Sequence, residues 1–320
     1  MFQRRALAAP AAFALVVMGC QKPELVTIPI ASWPGFEYFH LAHVKQLDQK
    51  AGLELNTLGF PDPQDIVKAF EEGRFPIAQL TTVEAVDICS RQPKRCPVVV
   101  LILDESNGAD KVAVRRSVGT IPALRGKRVA VTPSTLGPFV LSRALARHGM
   151  SLADVRIVAV PLADMGRRLV NGQIDGAAFF PPFSDAVLAS GEAVTAFSSA
   201  EIPGEIFDVL VVDPQYYRTN LHVLGRLVRV WQQAHDLAAR DPEAKDIMAS
   251  RDNVSVEMFR QTEKGLLYRS LLEQRPMLLP GGKLERNLAG VLAVQKQLGL
   301  IRGRVPLPRV STEPLDLALK

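Results

Sequence analysis

The feature that most constrains this chain is an alternation of short apolar runs with amphipathic segments between residues 124 and 182. Val129-Ala130-Val131 suits a buried strand and Thr132-Pro133-Ser134-Thr135 a polar turn. A helix should start near Gly137-Pro138, because proline is tolerated in a first helical turn and not deeper. Phe139, Leu141, Ala144 and Leu145 give it an apolar side, and Gly149 ends it. A strand at 155–160, a helix at Leu162–Val170 and, after Gly172, a strand at 174–180 follow. Strands alternating with helices predict an α/β fold with parallel pairing and right-handed crossovers. In such sheets ligands bind at the carboxyl ends of the strands. Ser134, Thr135 and the Phe179-Phe180-Pro181-Pro182 corner fall at those ends.

The same order occurs earlier. A strand at 26–31 leads into the loop Ser32-Trp33-Pro34-Gly35-Phe36-Glu37 and a helix at 38–49. A strand at 53–58, a helix at 63–72, Gly73 and a strand at 77–80 ending in Thr81-Thr82 complete the unit. Gly73 and Gly172 stand 99 positions apart (172 − 73), as do Ile30 and Val129 (129 − 30). Residue identity at this offset is weak, so what repeats is architecture. If the two units face each other, loops 32–37, Thr81-Thr82, Ser134-Thr135 and 180–182 line one cleft. The alternative is a chance match of the kind any α/β chain can produce. Between the units, the apolar run 97–103 ends in Asp104-Glu105-Ser106-Asn107-Gly108, as a hinge segment would. A return strand is expected within 203–212. The second lobe, 107–205, is therefore expected as an insertion in the first, 26–104 plus 208–320, with two crossovers and a mostly parallel sheet in each. Helices at 221–239, 256–272 and 284–298 should complete the first lobe.

The amino terminus reads as a processing signal. Arg4 and Arg5 precede an apolar run at 6–17 that is too short for a stable membrane span. Val17-Met18-Gly19-Cys20 then resembles a bacterial lipobox. That reading makes 1–19 a lipoprotein signal peptide, Cys20 the acylated residue and the protein exported and membrane-anchored. The alternative is an ordinary signal peptide with a coincidental cysteine. Cys89 and Cys96 remain. In an oxidising compartment they can close a small disulfide loop; otherwise they are two buried thiols. Their spacing and the scattered histidines do not suit a metal site. The formal charge of +5 falls to +3 (5 − 2) without Arg4 and Arg5, and the basic residues are dispersed. That balance does not suit nucleic acid.

No nucleophile elbow, His-Glu-x-x-His or Walker loop occurs, so no catalytic residue and no cofactor are assigned. Ser134 follows a strand and precedes a helix, and it reads as a hydrogen-bond donor to a ligand beside free helix N–H groups. Asp104 could pair with a cationic ligand or cap the hinge. Aromatic residues at the loops could stack on an organic ligand or cage a cation.

The segments SWPGFEYFHLAHVKQL, LRGKRVAVTPSTLGPFVLSRALARHGM and LVNGQIDGAAFFPPF resemble the substrate-binding proteins of nitrate/taurine/sulfonate-type ABC transporters and their thiamine-precursor-binding relatives. LDESNGADKVAV resembles that family's crossover into the second lobe. The resemblance covers nearly the whole mature chain. It implies the type II periplasmic-binding-protein fold, which closes on ligand about a two-crossover hinge. It also implies ligand-binding positions at Trp33, Phe36, Glu37, Thr81, Thr82, Asp104, Ser134, Thr135 and Phe180. The chain departs from the family at Pro76, where an Asp is usual, and in lacking a Glu-Pro pair at Phe180-Pro181-Pro182. The expected function is a monomeric lipoprotein that captures a small organic solute and delivers it to an ABC permease. The alternative is a sensor of the same fold coupled to a membrane signalling protein.

Overall fold

The computed structural model describes residues 22–132 and 136–320, so Cys20, Ser134 and Thr135 lie outside the described residues. In chain order the strands are β1 (Glu24–Ala31), β2 (Leu53–Phe60), β3 (Ile77–Thr81), β4 (Val98–Ser106), β5 (Lys111–Arg115) and β6 (Arg128–Val131). They continue as β7 (Arg156–Ala159), β8 (Gly176–Phe179), β9 (Ala193–Ser198), β10 (Phe207–Val212), β11 (Leu266–Leu267) and β12 (Arg309–Val310). One sheet has the order β7-β6-β8-β5-β9, a second has β11-β4-β10-β3 with β12 also on β4, and β1 pairs with β2.

The internal repeat is present at the level of single hydrogen bonds. Helix Pro63–Glu71 and helix Leu162–Val170 begin and end 99 positions apart (162 − 63 and 170 − 71). Each closes on a left-handed glycine, Gly73 at φ 74° and Gly172 at φ 67°. Arg74 N donates to Ala69 O at 2.8 Å, and Gln173 N donates to Arg168 O at 2.9 Å. The glycine amides donate to Phe70 O and Leu169 O. This is one helix-ending motif used twice, with the last carbonyls satisfied by the turning chain.

The pairing is less parallel than expected. β1–β2, β6–β7 and β6–β8 are parallel, as strand-helix-strand units require. β4–β10, β3–β10, β5–β8 and β5–β9 are antiparallel, so the sheets are mixed. The cause is the double passage of the chain. β4 runs outward to segment 107–205 and β10 returns from it, so the two lie side by side in opposite senses. Polar Lys111 and the short apolar core of β5, together with the alternation in β9, had no strand assigned from sequence.

Every residue of β4 and of β10 is buried, and these strands form the spine of the larger core with Phe39, Phe70 and Trp231. The expected helix at 256–272 is broken. It stops at Glu263, gives the edge strand β11 and restarts at Leu271 after Ser270, which accepts from Glu273 N as a cap. Helix Thr82–Arg91, unassigned from sequence, carries a capping box in which Thr81 and Glu84 satisfy each other's backbone N–H groups. Cys89, near its end, is disulfide-bonded to Cys96 with S–S 2.01 Å. Among the described residues no helix is long and apolar enough to cross a membrane.

Replacing either repeated glycine by alanine forces a Cβ into the left-handed region. Gly73→Ala and Gly172→Ala should each cost about 1–2 kcal/mol in urea unfolding. Losses near zero at both sites would show that these turns tolerate a side chain.

Candidate functional site

A cavity lies where strand ends of the two five-stranded sheets and of β1 converge. Trp33 and Phe36 reach it from the turn after β1, Gln79 and Thr81 from β3, Glu84 from helix Thr82–Arg91 and Asp208 from β10. Asp110, Leu136, Leu162 and Phe180 reach it from segment 107–205, and Asp62 and Gln64 sit at its rim.

The aromatic side is fixed by two contacts. Trp33 and Phe180 meet edge to face across the cavity, with ring centroids 5.7 Å apart and planes at 87°. The Trp33 indole N–H donates to Asp104 Oδ2 at 3.1 Å, so its ring orientation is set by a buried carboxylate. Gly35 makes this possible, since a Cβ there would fall on the Asp104 carboxylate.

The opposite side is acidic. Residues Asp104 and Glu105 show the strand's alternation. Glu105 turns to the carboxy-terminal helices and pairs with Arg269 Nη2 at 2.7 Å and Lys283 Nζ at 3.0 Å. Asp104 turns the other way, opposite Asp208 in the β4–β10 register. The register skips Leu103 between Asp208 and Val209, a bulge of the kind that re-aims side chains near sites. Burial pushes the Asp104 carboxyl up from its usual 3.8 to about 7, against the hydrogen bonds from Asp208 and Trp33. Burial and then the Asp104 charge push Asp208 well above its ordinary range. The two carboxyls therefore share a proton. Burial also lifts Asp110 to about 6, opposed by Ser106 and Lys111. Glu84 is raised by burial despite its bonds from Thr81 and Gln64. Among the described residues, no group of three or more His, Cys, Asp or Glu is placed to hold a metal ion.

The structure brings Trp33, Phe36, Thr81 and Phe180 together on the cavity wall. Asp104 stands one contact behind it, through Trp33. Glu37 and Thr82 are not on the wall. Glu37 is fully buried and pairs with Arg251 Nη1 at 2.9 Å, which ties the start of helix Tyr38–Val44 to the end of helix Glu243–Arg251. Thr82 is fully buried at the start of its helix. The main additions are Gln79, Glu84, Asp110 and Asp208. Two of them had a readable signal: Thr81-x-x-Glu84 is a capping-box pattern, and Asp208 interrupts the apolar run Phe207–Val212. Gln79 and Asp110 carried none.

Comparison with known proteins gives the context of this site. Residues 21–252 match the NMT1-like family. The chain belongs to that family. A protein of Brucella abortus named as a binding protein is 22% identical over 237 residues, which cover 71% of this chain and 73% of that one. The periplasmic aliphatic sulphonate binding protein SsuA of Escherichia coli superposes with TM-score 0.73 at 15% identity, over 90% of this chain and 94% of that one. The desulfurization enzyme DSZB superposes with TM-score 0.65 at 17% identity, over 92% and 99%. This NMT1-like chain thus shares the α/β fold of periplasmic binding proteins, a fold on which an enzyme is also built.

The raised carboxyls predict a pH signature. The folded state keeps protons on Asp104 and Asp208 that the unfolded chain releases near pH 4, so their favourable contribution is complete below that value and falls as pH rises, for Asp104 through about 7. Asp208→Asn should therefore change stability little at pH 3 and stabilise the empty protein by about 1–3 kcal/mol at pH 9. Urea titrations of both proteins at the two pH values measure this, and a stabilisation independent of pH would contradict the shared proton.

Proposed function

We propose that this NMT1-like protein is a solute-binding protein that captures a small organic solute in the cavity and delivers it to an ABC permease. The observation that carries the reading is the composition of the cavity wall. Segment 107–205 and the remainder of the chain both supply it, and Trp33 and Phe180 meet across it. The proposal includes a two-lobed, type II arrangement, with 26–104 plus 208–320 as one lobe and 107–205 as the other. The β4–β10 pair is the hinge, and closure brings the aromatic rings together. Ser134 and Thr135 are proposed as further ligand contacts, since Thr132 and Leu136 on either side of them line the cavity. Export with acylation of Cys20 completes the reading, and the disulfide between Cys89 and Cys96 accords with an oxidising compartment. Binding rather than turnover is favoured because, among the described residues, no cysteine, histidine or lysine lines the cavity, and the hydroxyls of Ser32 and Thr81 are held by Asp252 and Glu84 in contacts that tie loop and helix ends together.

The reading is tested on mature protein with Cys20 replaced, unfolded and refolded to strip carried-over ligand. The panel holds sulfonates, nitrate, quaternary amines, pyrimidines and aromatic acids. A ligand at ~1,000-fold its dissociation constant adds about 4 kcal/mol, or on the order of 10 °C in melting temperature. Trp33→Ala should remove most of that shift. If no small molecule stabilises the protein and no permease copurifies with the full-length chain, the proposal fails.

A further inference from the structure

The cavity wall carries more information than its shape. Gln79 is almost fully buried and lines the cavity; its Nε2 donates to Phe36 O at 3.3 Å, while its Oε1 has no donor among the described residues. Among the described residues, the Asp104 Oδ1 behind the wall also lacks a donor from any group other than an acid. Asp110 and Asp208 stand on the same wall, nine-tenths or more buried. Among the described residues no lysine, arginine or histidine lines the cavity, and residues 133–135 are Pro, Ser and Thr. Lys111 interacts with Asp110 and Asp185 but is not part of the lining.

Helix amino termini at the cavity would ordinarily attract an anion. Two of them are already occupied by the chain's own carboxylates. Asp62 accepts from Gln64 N at 2.9 Å at the start of helix Pro63–Glu71, and Glu84 accepts from Thr81 N at 3.0 Å at the start of helix Thr82–Arg91. An incoming sulfonate would have to approach Glu84, Asp110 and Asp208 with no facing cation. An incoming cation would find an amide oxygen with no donor among the described residues, an Asp104–Asp208 carboxyl pair whose shared proton it can displace, and the rings of Trp33, Phe36 and Phe180.

We infer that the solute is an organic cation, a protonated amine or amidinium borne on a flat or small apolar body, with its N–H groups on Gln79, Asp110 and Asp208 and its body against Trp33 and Phe180. The inference rests on the solute-binding reading above and narrows it to a charge class. It sets this chain apart from the sulphonate-binding protein that shares its fold.

Benzamidine and benzenesulfonate test it, since they offer the same ring with opposite charge. Titration calorimetry on the stripped protein should show benzamidine binding at least about tenfold tighter than benzenesulfonate, and Asp208→Asn should weaken benzamidine by about tenfold or more. Circular dichroism checks that the variant is folded; the comparison of the two probes on the unaltered chain stands without it. Equal or tighter binding of benzenesulfonate overturns the charge class while leaving a solute-binding protein. Binding of neither probe also overturns the inference. The broader reading falls with it only if the wider panel is flat as well.

Discussion

The antiparallel pairing of β4 with β10 is the interaction on which the rest depends. It carries the chain out to segment 107–205 and back, so it makes the sheets mixed. It also sets Asp208 opposite Asp104 on one side and opposite Thr81 on the other. The same ladder therefore fixes the acidic wall, the anchor of the Trp33 indole and the start of the helix that presents Glu84. A fully apolar pair of strands would have been easier to bury. The two aspartates cost stability, since burying like charges side by side is unfavourable unless a proton or a cation offsets them.

The remaining parts of the site are held by ordinary local chemistry. A capping box places Glu84, a bulge aims the residues around Asp208, and an edge-to-face ring contact spans the opening. Outside the cavity, charges are paired at once: Glu37 with Arg251, and Glu105 with Arg269 and Lys283. Asp104 and Asp208 have no such basic partner among the described residues, which sets them apart from these structural carboxylates.

Much of the architecture was legible from residues. Strand-helix alternation, glycine stops and the 99-residue offset located most elements of both units, and helix Leu162–Val170 was placed to the residue. Strands β5 and β9 were missed because they pair antiparallel to neighbours distant in sequence, and neither has a long apolar run. At the site, Trp33, Phe36, Thr81 and Phe180 were found because they follow strand ends. Glu37 sits in the same loop as Trp33, yet one further turn of chain points it into the interior. Sequence position within a loop does not fix that direction. Gln79 and Asp110 became visible only when long-range register brought their strands to one wall.

The return of the chain has a consequence for modularity. Ser106 N donates to Ile206 O at 3.1 Å, so segment 107–205 departs and comes back within one hydrogen bond. Its two ends are neighbours, and the rest of the fold sees it as a single attachment point. A segment joined in this way can be exchanged for a homologous one without altering the path of the surrounding chain. Half of the cavity wall could then be inherited separately from the other half, and solute preference could be recombined as well as mutated.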